Sequence, residues 1–191
     1  MPSHWPRITI VTPSYQQAHF LEQTIRSVLL QGYPNLEYIV LDGGSTDGSV
    51  EIIRKYEWWI DYWTSGKDGG QAEAIDRGFE RATGELVAWQ NSDDLYLPGA
   101  LAAFGRLFAR HPKTELAIGG CIWINADGTT ARSRSGYPIY YPGRRLSHRE
   151  ALLWGIGANQ PATMYRRHAF LSPEASIARF NAALITTRPS R

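Results

Sequence analysis

Sulfur is scarce in this chain: 191 residues hold one cysteine, Cys121, and two methionines. A lone thiol closes no intramolecular disulfide and builds no multi-cysteine zinc module, so disulfide scaffolds and zinc fingers are excluded and a reducing compartment is expected. No apolar run approaches the roughly 20 residues that cross a bilayer. The opening MPSHWPRITIVTPSY lacks the apolar core of a signal peptide. The expectation is a cytoplasmic domain, peripheral at most to the inner face of a membrane. Neither GxGxxG nor GxxxxGK followed by Ser or Thr occurs, which disfavours the dinucleotide fingerprint and the Walker loop.

What is present is globular composition, with 43% hydrophobic, 12% aromatic and 20% charged residues. The net charge of +2 hides an asymmetry. Residues 1–130 carry 10 lysines and arginines against 16 acids, a net −6, whereas residues 131–191 carry 10 against 2, a net +8. Clustered positive charge suits an anionic partner such as a phosphate or a membrane surface, and equally a solvated tail. Nucleic acid is not expected, because no RNP-like, helix-turn-helix or finger motif accompanies the charge.

Strands and helices alternate in the pattern. Residues 8–12 (ITIVT), 36–41 (LEYIVL), 60–64, 86–90 and 116–124 read as strands. Between them, residues 19–31 place Leu21, Ile25, Val28 and Leu29 on one helical face, and Val50, Ile53 and Tyr56 form a second. Residues 71–82 form a third with Ala72, Ile75 and Phe79 inward. A fourth begins near Pro98 and carries Leu101, Phe104 and Phe108. NADG at 125–128 reads as a hairpin turn. This predicts an α/β fold, a three-layer α/β/α sandwich on a mainly parallel sheet. Residues 1–133 form its α/β half, and 134–191 a less regular second part of the same domain. Trp58, Trp59 and Trp63 are expected in the core.

Ligands of open α/β sheets bind outside the carboxyl ends of the strands. That rule selects the loops TPSYQQ, DGGSTD, SGKDGGQ and NSDD, which supply Asp42, Asp47, Asp68, Asp93 and Asp94. So many carboxylates at one edge call for a cation. Hard ions such as Mg²⁺ or Mn²⁺ are bound through one or two carboxylates plus the phosphates of a nucleotide. Asp42 is expected free to accept from a ligand N–H or hydroxyl, the alternative being a turn residue bonding its own backbone. Asp47 is expected to cap a helix, and Asp93 and Asp94 have capping as their alternative role.

TPSYQQ, SVLLQ, YIVLDGGSTDGS, KDGGQAEAIDRGFERATGE and WQNSDDLYLPGAL occur in this order. Together they resemble the inverting family 2 glycosyltransferases with a GT-A fold, over about residues 7–170. The resemblance implies sugar transfer from a nucleotide diphosphate sugar, often a UDP-sugar, to a polysaccharide or glycoconjugate acceptor of the cell envelope. Mg²⁺ or Mn²⁺ would neutralise the diphosphate, and a lipid-linked acceptor would bring the protein to the membrane.

Carried over by position, Thr12, Pro13, Tyr15 and Asp42 border the base and ribose, and Asp68 and Gln71 line the donor pocket. Asn91, Ser92 and Asp93 occupy the DxD positions. Asn91 keeps hydrogen-bonding capacity without charge, so the metal is assigned to Asp93, with Asp94 second. Asp76 departs from the family, which usually has Asn there.

An inverting transfer needs a general base, which the family carries downstream. Here the chain ends LSPEASIARFNAALITTRPSR, with Glu174 its lone acid. The catalytic base is therefore not identified, Glu174 is a weak match, and a shortened or divergent tail that binds donor without turnover is the alternative function. His148 and His168 stand without a positioned partner. Arg166 and Arg167 are candidates for a phosphate contact or for plain surface.

Overall fold

The computed structural model describes residues 4–131, 140–141, 144–146 and 160–170. β1 (Ile8–Ser14), β2 (Leu36–Asp42), β3 (Tyr62–Ser65) and β4 (Leu86–Trp89) are parallel neighbours in the order β3-β2-β1-β4. β1 aligns with β2 from Ile8↔Leu36 to Ser14↔Asp42, and with β4 from Ile8↔Leu86 to Val11↔Trp89. The carboxyl ends of β1, β2 and β3 therefore finish side by side at Ser14, Asp42 and Ser65.

Beyond β4 the sheet turns antiparallel. β5 (Leu116–Ile118), β8 (Arg144–Leu146) and β9 (Thr163–Arg166) complete seven strands, and β9 is inserted between β4 and β5. β6 (Cys121–Ile122) pairs with β7 (Tyr140–Tyr141) in a separate ribbon. The strand expected over 116–124 is thus broken at Gly119 and Gly120, and its end, from Cys121 on, leaves the main sheet. The expected NADG turn is present. Gly128 adopts φ +81°, and Ile124 bridges Thr130.

Strand side chains alternate between two faces, and each face is roofed by helices. On one face Ile8, Ile10, Val40, Leu86 and Ala88 pack against α1 (Ala18–Leu29), α2 (Ser49–Lys55) and α4 (Ala100–Arg110). Those helices contribute Leu21, Ile25, Val28, Ile53, Leu101, Phe104 and Phe108. On the other, Val11, Ile39, Leu41, Val87 and Trp89 pack against α3 (Gln71–Arg81) and α5 (Arg167–Phe170). The three-layer expectation holds.

Two expectations about inward residues do not. In α3 the buried positions are Ala74, Gly78 and Phe79, and Ala72 is exposed. The helix lies so close to β1 that a Cβ on Gly78 would clash with the Val11 side chain, which keeps this glycine on the buried face. Trp58 and Trp59 are 87% and 62% exposed, because the 3-10 turn Glu57–Trp59 carries them outward. Trp63 alone packs against the core, half-buried. Among the described residues no helix is long and apolar enough to cross a membrane.

Candidate active site

The loops after β1, β2, β3 and β4 meet over the carboxyl ends of those strands, as the parallel register requires. Two of them are stitched together. Gln16 donates from its backbone N–H to Ser45 Oγ at 2.8 Å and from Nε2 to Thr46 Oγ1 at 3.1 Å. Asp47 accepts from the N–H of Ala18 at the start of α1 (2.9 Å) and from that of Ser49 at the start of α2 (3.1 Å). The N-cap position of α2 is Gly48, so Asp47 serves the first N–H of each helix from one residue outside the α2 cap, and although desolvation raises its carboxyl, hydrogen bonds from Ser49 and Ala18 hold it below the usual range.

Between these loops opens a cleft of about 580 Å³. Pro13, Ser14, Tyr15, Lys67, Asp68, Gln71, Asn91 and Asp93 are among the residues that line it. Tyr15 is 62% exposed and presents its ring. Gly43 forms part of the wall, where a Cβ would meet Tyr15 Cδ2 and Asp68 Oδ1, each at 3.2 Å, so a side chain there would wedge between them. Ser14 Oγ is buried on this wall with no hydrogen-bond partner among the described residues.

Asp42 does not reach the cleft as an open acceptor. Its Oδ2 takes the N–H groups of Gly44 (3.0 Å) and Ser45 (2.8 Å) and the hydroxyl of Ser65 (2.6 Å), and its Oδ1 takes the hydroxyl of Ser45. With 2% exposure it is the turn-organising residue of its loop, the alternative recognised in the sequence. Thr12 is likewise interior, its hydroxyl 3.0 Å from Tyr38 OH. Asp68 bonds the N–H of Gly70 at 2.9 Å and still faces the cleft.

After β4, Asp93 is exposed on the cleft wall. Asp94 sits behind it, accepting from Asn91 Nδ2 at 3.0 Å. Burial, with the charge of Asp93 adding to it, pushes the Asp94 carboxyl up to about 6, against the Asn91 hydrogen bond. Gln71, the first residue of α3, donates to Asn91 Oδ1 at 2.8 Å. Gln160, in a 3-10 turn before β9, accepts from Asn91 Nδ2 at 2.8 Å and donates to the carbonyl of Trp89 at 2.7 Å.

Among the described residues no three His, Cys, Asp or Glu side chains gather as a protein-only cage. A hard ion held by a single carboxylate and completed by water and ligand phosphates is the arrangement that Asp93 fits.

Ser14 lies in the loop from Thr12 to Tyr15 that the resemblance sets beside the nucleotide, whereas Lys67, Gln17 and Gln160 were given no role. Ser14, Lys67 and Gln17 line the cleft, and Gln160 braces it. Lys67 stood within the quoted SGKDGGQ loop, and its ammonium is the feature that could have drawn attention. Gln160 had no local signal, since only the return of β9 beside β4 brings it to Asn91. Arg166 and Arg167 stand away from the cleft. Arg166 donates to the carbonyls of Thr114 and Phe108, and Arg167 to that of Ala82. His168 lies 3.8 Å from Glu115 at the surface. Glu174 and His148 lie outside the described residues.

Comparison with known proteins agrees with this geometry. The chain matches the family model Glycosyl transferase family 2 over residues 9–172. It is 38% identical over 96 residues to the putative teichuronic acid biosynthesis glycosyltransferase TuaG of Bacillus subtilis, covering 48% of this chain and 38% of that protein. It is 34% identical over 114 residues to an uncharacterized glycosyltransferase of Mycobacterium tuberculosis, covering 58% and 44%. The chain thus spans less than half the length of these relatives.

Among solved structures, the mannosyltransferase PcManGT of Pyrobaculum calidifontis, in complex with GDP-Man and Mn²⁺, aligns with a TM-score of 0.55 at 28% identity, over 60% of this chain and 35% of that one. S. aureus TarS 1-349 aligns with a TM-score of 0.64 at 18% identity, over 93% and 55%, and shows the fold. The chain belongs to glycosyl transferase family 2, and its sheet is that of the GT-A fold.

Proposed function

We propose that the cleft binds a nucleotide diphosphate sugar, and that the protein transfers the sugar with inversion to a polysaccharide or glycoconjugate acceptor. The observation that carries this reading is the convergence of Tyr15, Lys67, Asp68, Gln71 and Asp93, from the three segments that follow β1, β3 and β4, on one cleft at the carboxyl ends of parallel strands. The family resemblance and the GDP-Man and Mn²⁺ complex of PcManGT support it.

In this reading Tyr15 offers a flat face to the base, and the partnerless hydroxyl of Ser14 offers a hydrogen bond to the nucleoside. Asp42 works indirectly, by holding the Gly43–Gly44 turn that keeps the cleft open. Mg²⁺ or Mn²⁺ would be held by Asp93 and would supply charge neutralisation at the diphosphate. The Lys67 ammonium brings a further positive charge to the same wall. Deprotonation of the acceptor hydroxyl falls to a carboxylate outside the described residues, Glu174 among them. The basic part of the chain, net +8 over 131–191, is the region suited to an anionic membrane surface presenting a lipid-linked acceptor.

The test is release of nucleoside diphosphate from UDP-, GDP- and dTDP-sugars with Mn²⁺. Metal-dependent release from one base series, UDP being the expected one, supports the reading. Neither release nor binding by a folded chain would overturn it.

A further inference from the structure

An asparagine amide has one acceptor and two donor hydrogens, and Asn91 uses all of them. Its oxygen accepts from Gln71 Nε2 at 2.8 Å, and its nitrogen donates to Asp94 Oδ2 at 3.0 Å and to Gln160 Oε1 at 2.8 Å. The direction of this chain of bonds is fixed at its inner end. The Trp89 carbonyl can only accept, so Gln160 must turn its NH₂ toward it, at 2.7 Å, and its oxygen toward Asn91. Asn91 must then present NH₂ to Gln160 and oxygen to Gln71. Gln71, on the cleft wall, has its NH₂ turned toward Asn91, which takes one of its two hydrogens, and keeps Oε1 as its acceptor for a ligand.

We propose that Asn91 is a positioning residue of the donor site. Its uncharged amide transmits a fixed hydrogen-bond polarity from the Trp89 carbonyl to Gln71, and the same amide holds Asp94 in place behind Asp93. Gln71 is thereby set to accept from a hydroxyl, that of a ribose or of the donor sugar. The proposal rests on the reading of the cleft as a nucleotide-sugar site. An aspartate at 91 adds a carboxylate near the proposed metal position, yet it cannot donate to Asp94 or Gln160, and it stands beside the Asp94 carboxylate in a partly buried setting.

Calorimetric titration of the full chain with UDP and GDP in excess Mn²⁺ tests this on four proteins. Relative to wild type, Asn91→Asp is expected to weaken nucleotide binding about tenfold or more, and Gln160→Ala about threefold. The double variant Asn91→Asp with Asp94→Asn restores a donor–acceptor pair between the two positions and leaves an acceptor for Gln71. The bond to Gln160 stays lost, so binding is expected to recover to about the level of Gln160→Ala, a rescue that general loss of stability would not produce.

A second measurement needs no ligand: the side-chain NH₂ resonances of Gln71 and Gln160 should shift in Asn91→Ala. Unmoved resonances, or an Asn91→Asp protein that binds as tightly as wild type, overturn the positioning role. Shifted resonances in a chain whose wild type binds no nucleotide would instead overturn the donor-site reading.

Discussion

The two ends of the parallel sheet treat their carboxylates in opposite ways. At the amino ends, Glu37 is 7% exposed and takes Arg7 Nη2 (3.2 Å), Thr9 Oγ1, Thr83 N–H (2.8 Å) and Thr83 Oγ1 (2.7 Å). Those bonds and the Arg7 charge outweigh its desolvation and hold the carboxyl below the usual glutamate range. At the carboxyl ends Asp93 faces the cleft, and Asp94 behind it is pushed up to about 6. An acid surrounded by protein donors is architecture, and an acid facing a cavity is available for chemistry. Asp42 shows that location alone does not decide the matter. It belongs to the functional end by sequence position and to the architectural class by its partners.

The largest loss of stability is expected on breaking the architectural end. Glu37→Gln places an NH₂ against donors, and urea unfolding should show a loss of about 3 kcal/mol. In a domain of this size that is roughly 6 to 12 °C of melting temperature. Asp42→Asn makes the same error in a network that contains no cation and should cost about 2 kcal/mol. It should also weaken nucleotide binding, because the loop carrying Gly43 loses its anchor. Tyr15→Ala should leave stability within about 0.5 kcal/mol, since its ring is largely exposed, while weakening nucleotide affinity about tenfold in titration.

The two ends should also respond oppositely to pH. Glu37, depressed in the fold, contributes stability that is fully present above its ordinary value of 4.5 and is lost as pH falls through its lower folded value. Asp94, raised from 3.8 to about 6, binds its proton more tightly when folded, so stability declines as pH rises between those values. Unfolding curves between pH 3 and 7 should therefore flatten on the acid side in Glu37→Gln, and lose the decline between about 4 and 6 in Asp94→Asn. The smallest effect is expected at the exposed aromatic turn, where Trp58→Ser should change stability by no more than about 0.5 kcal/mol.

The sequence was legible where local pattern and tertiary structure agree. The alternation of β-branched strands with helices carrying apolar residues three and four apart, such as Leu21, Ile25 and Val28, required the layered parallel core. The rule for carboxyl strand ends then placed Tyr15, Asp68, Gln71 and Asp93 around one cleft. It failed where position along a loop says nothing about partners. Asp42 and Asp93 both follow strands, and only the folded loop shows that Ser45 and Ser65 occupy one of them. Trp58 and Trp59 looked apolar enough for a core, but a 3-10 turn between α2 and β3 points them outward. Gln160 was invisible because its role depends on β9 crossing back next to β4, a long-range pairing that no local pattern announces.

The role proposed for Asp93, an open carboxylate at the sheet's functional end, is to make nucleotide binding depend on a divalent ion. Calorimetric titration of the chain with UDP and GDP, with and without Mn²⁺, on wild type and Asp93→Asn tests it directly. Mn²⁺-dependent binding by wild type is expected, with a loss of at least about a hundredfold in the variant and an unchanged melting temperature. Equal binding with and without Mn²⁺, or by Asp93→Asn and wild type alike, would contradict it.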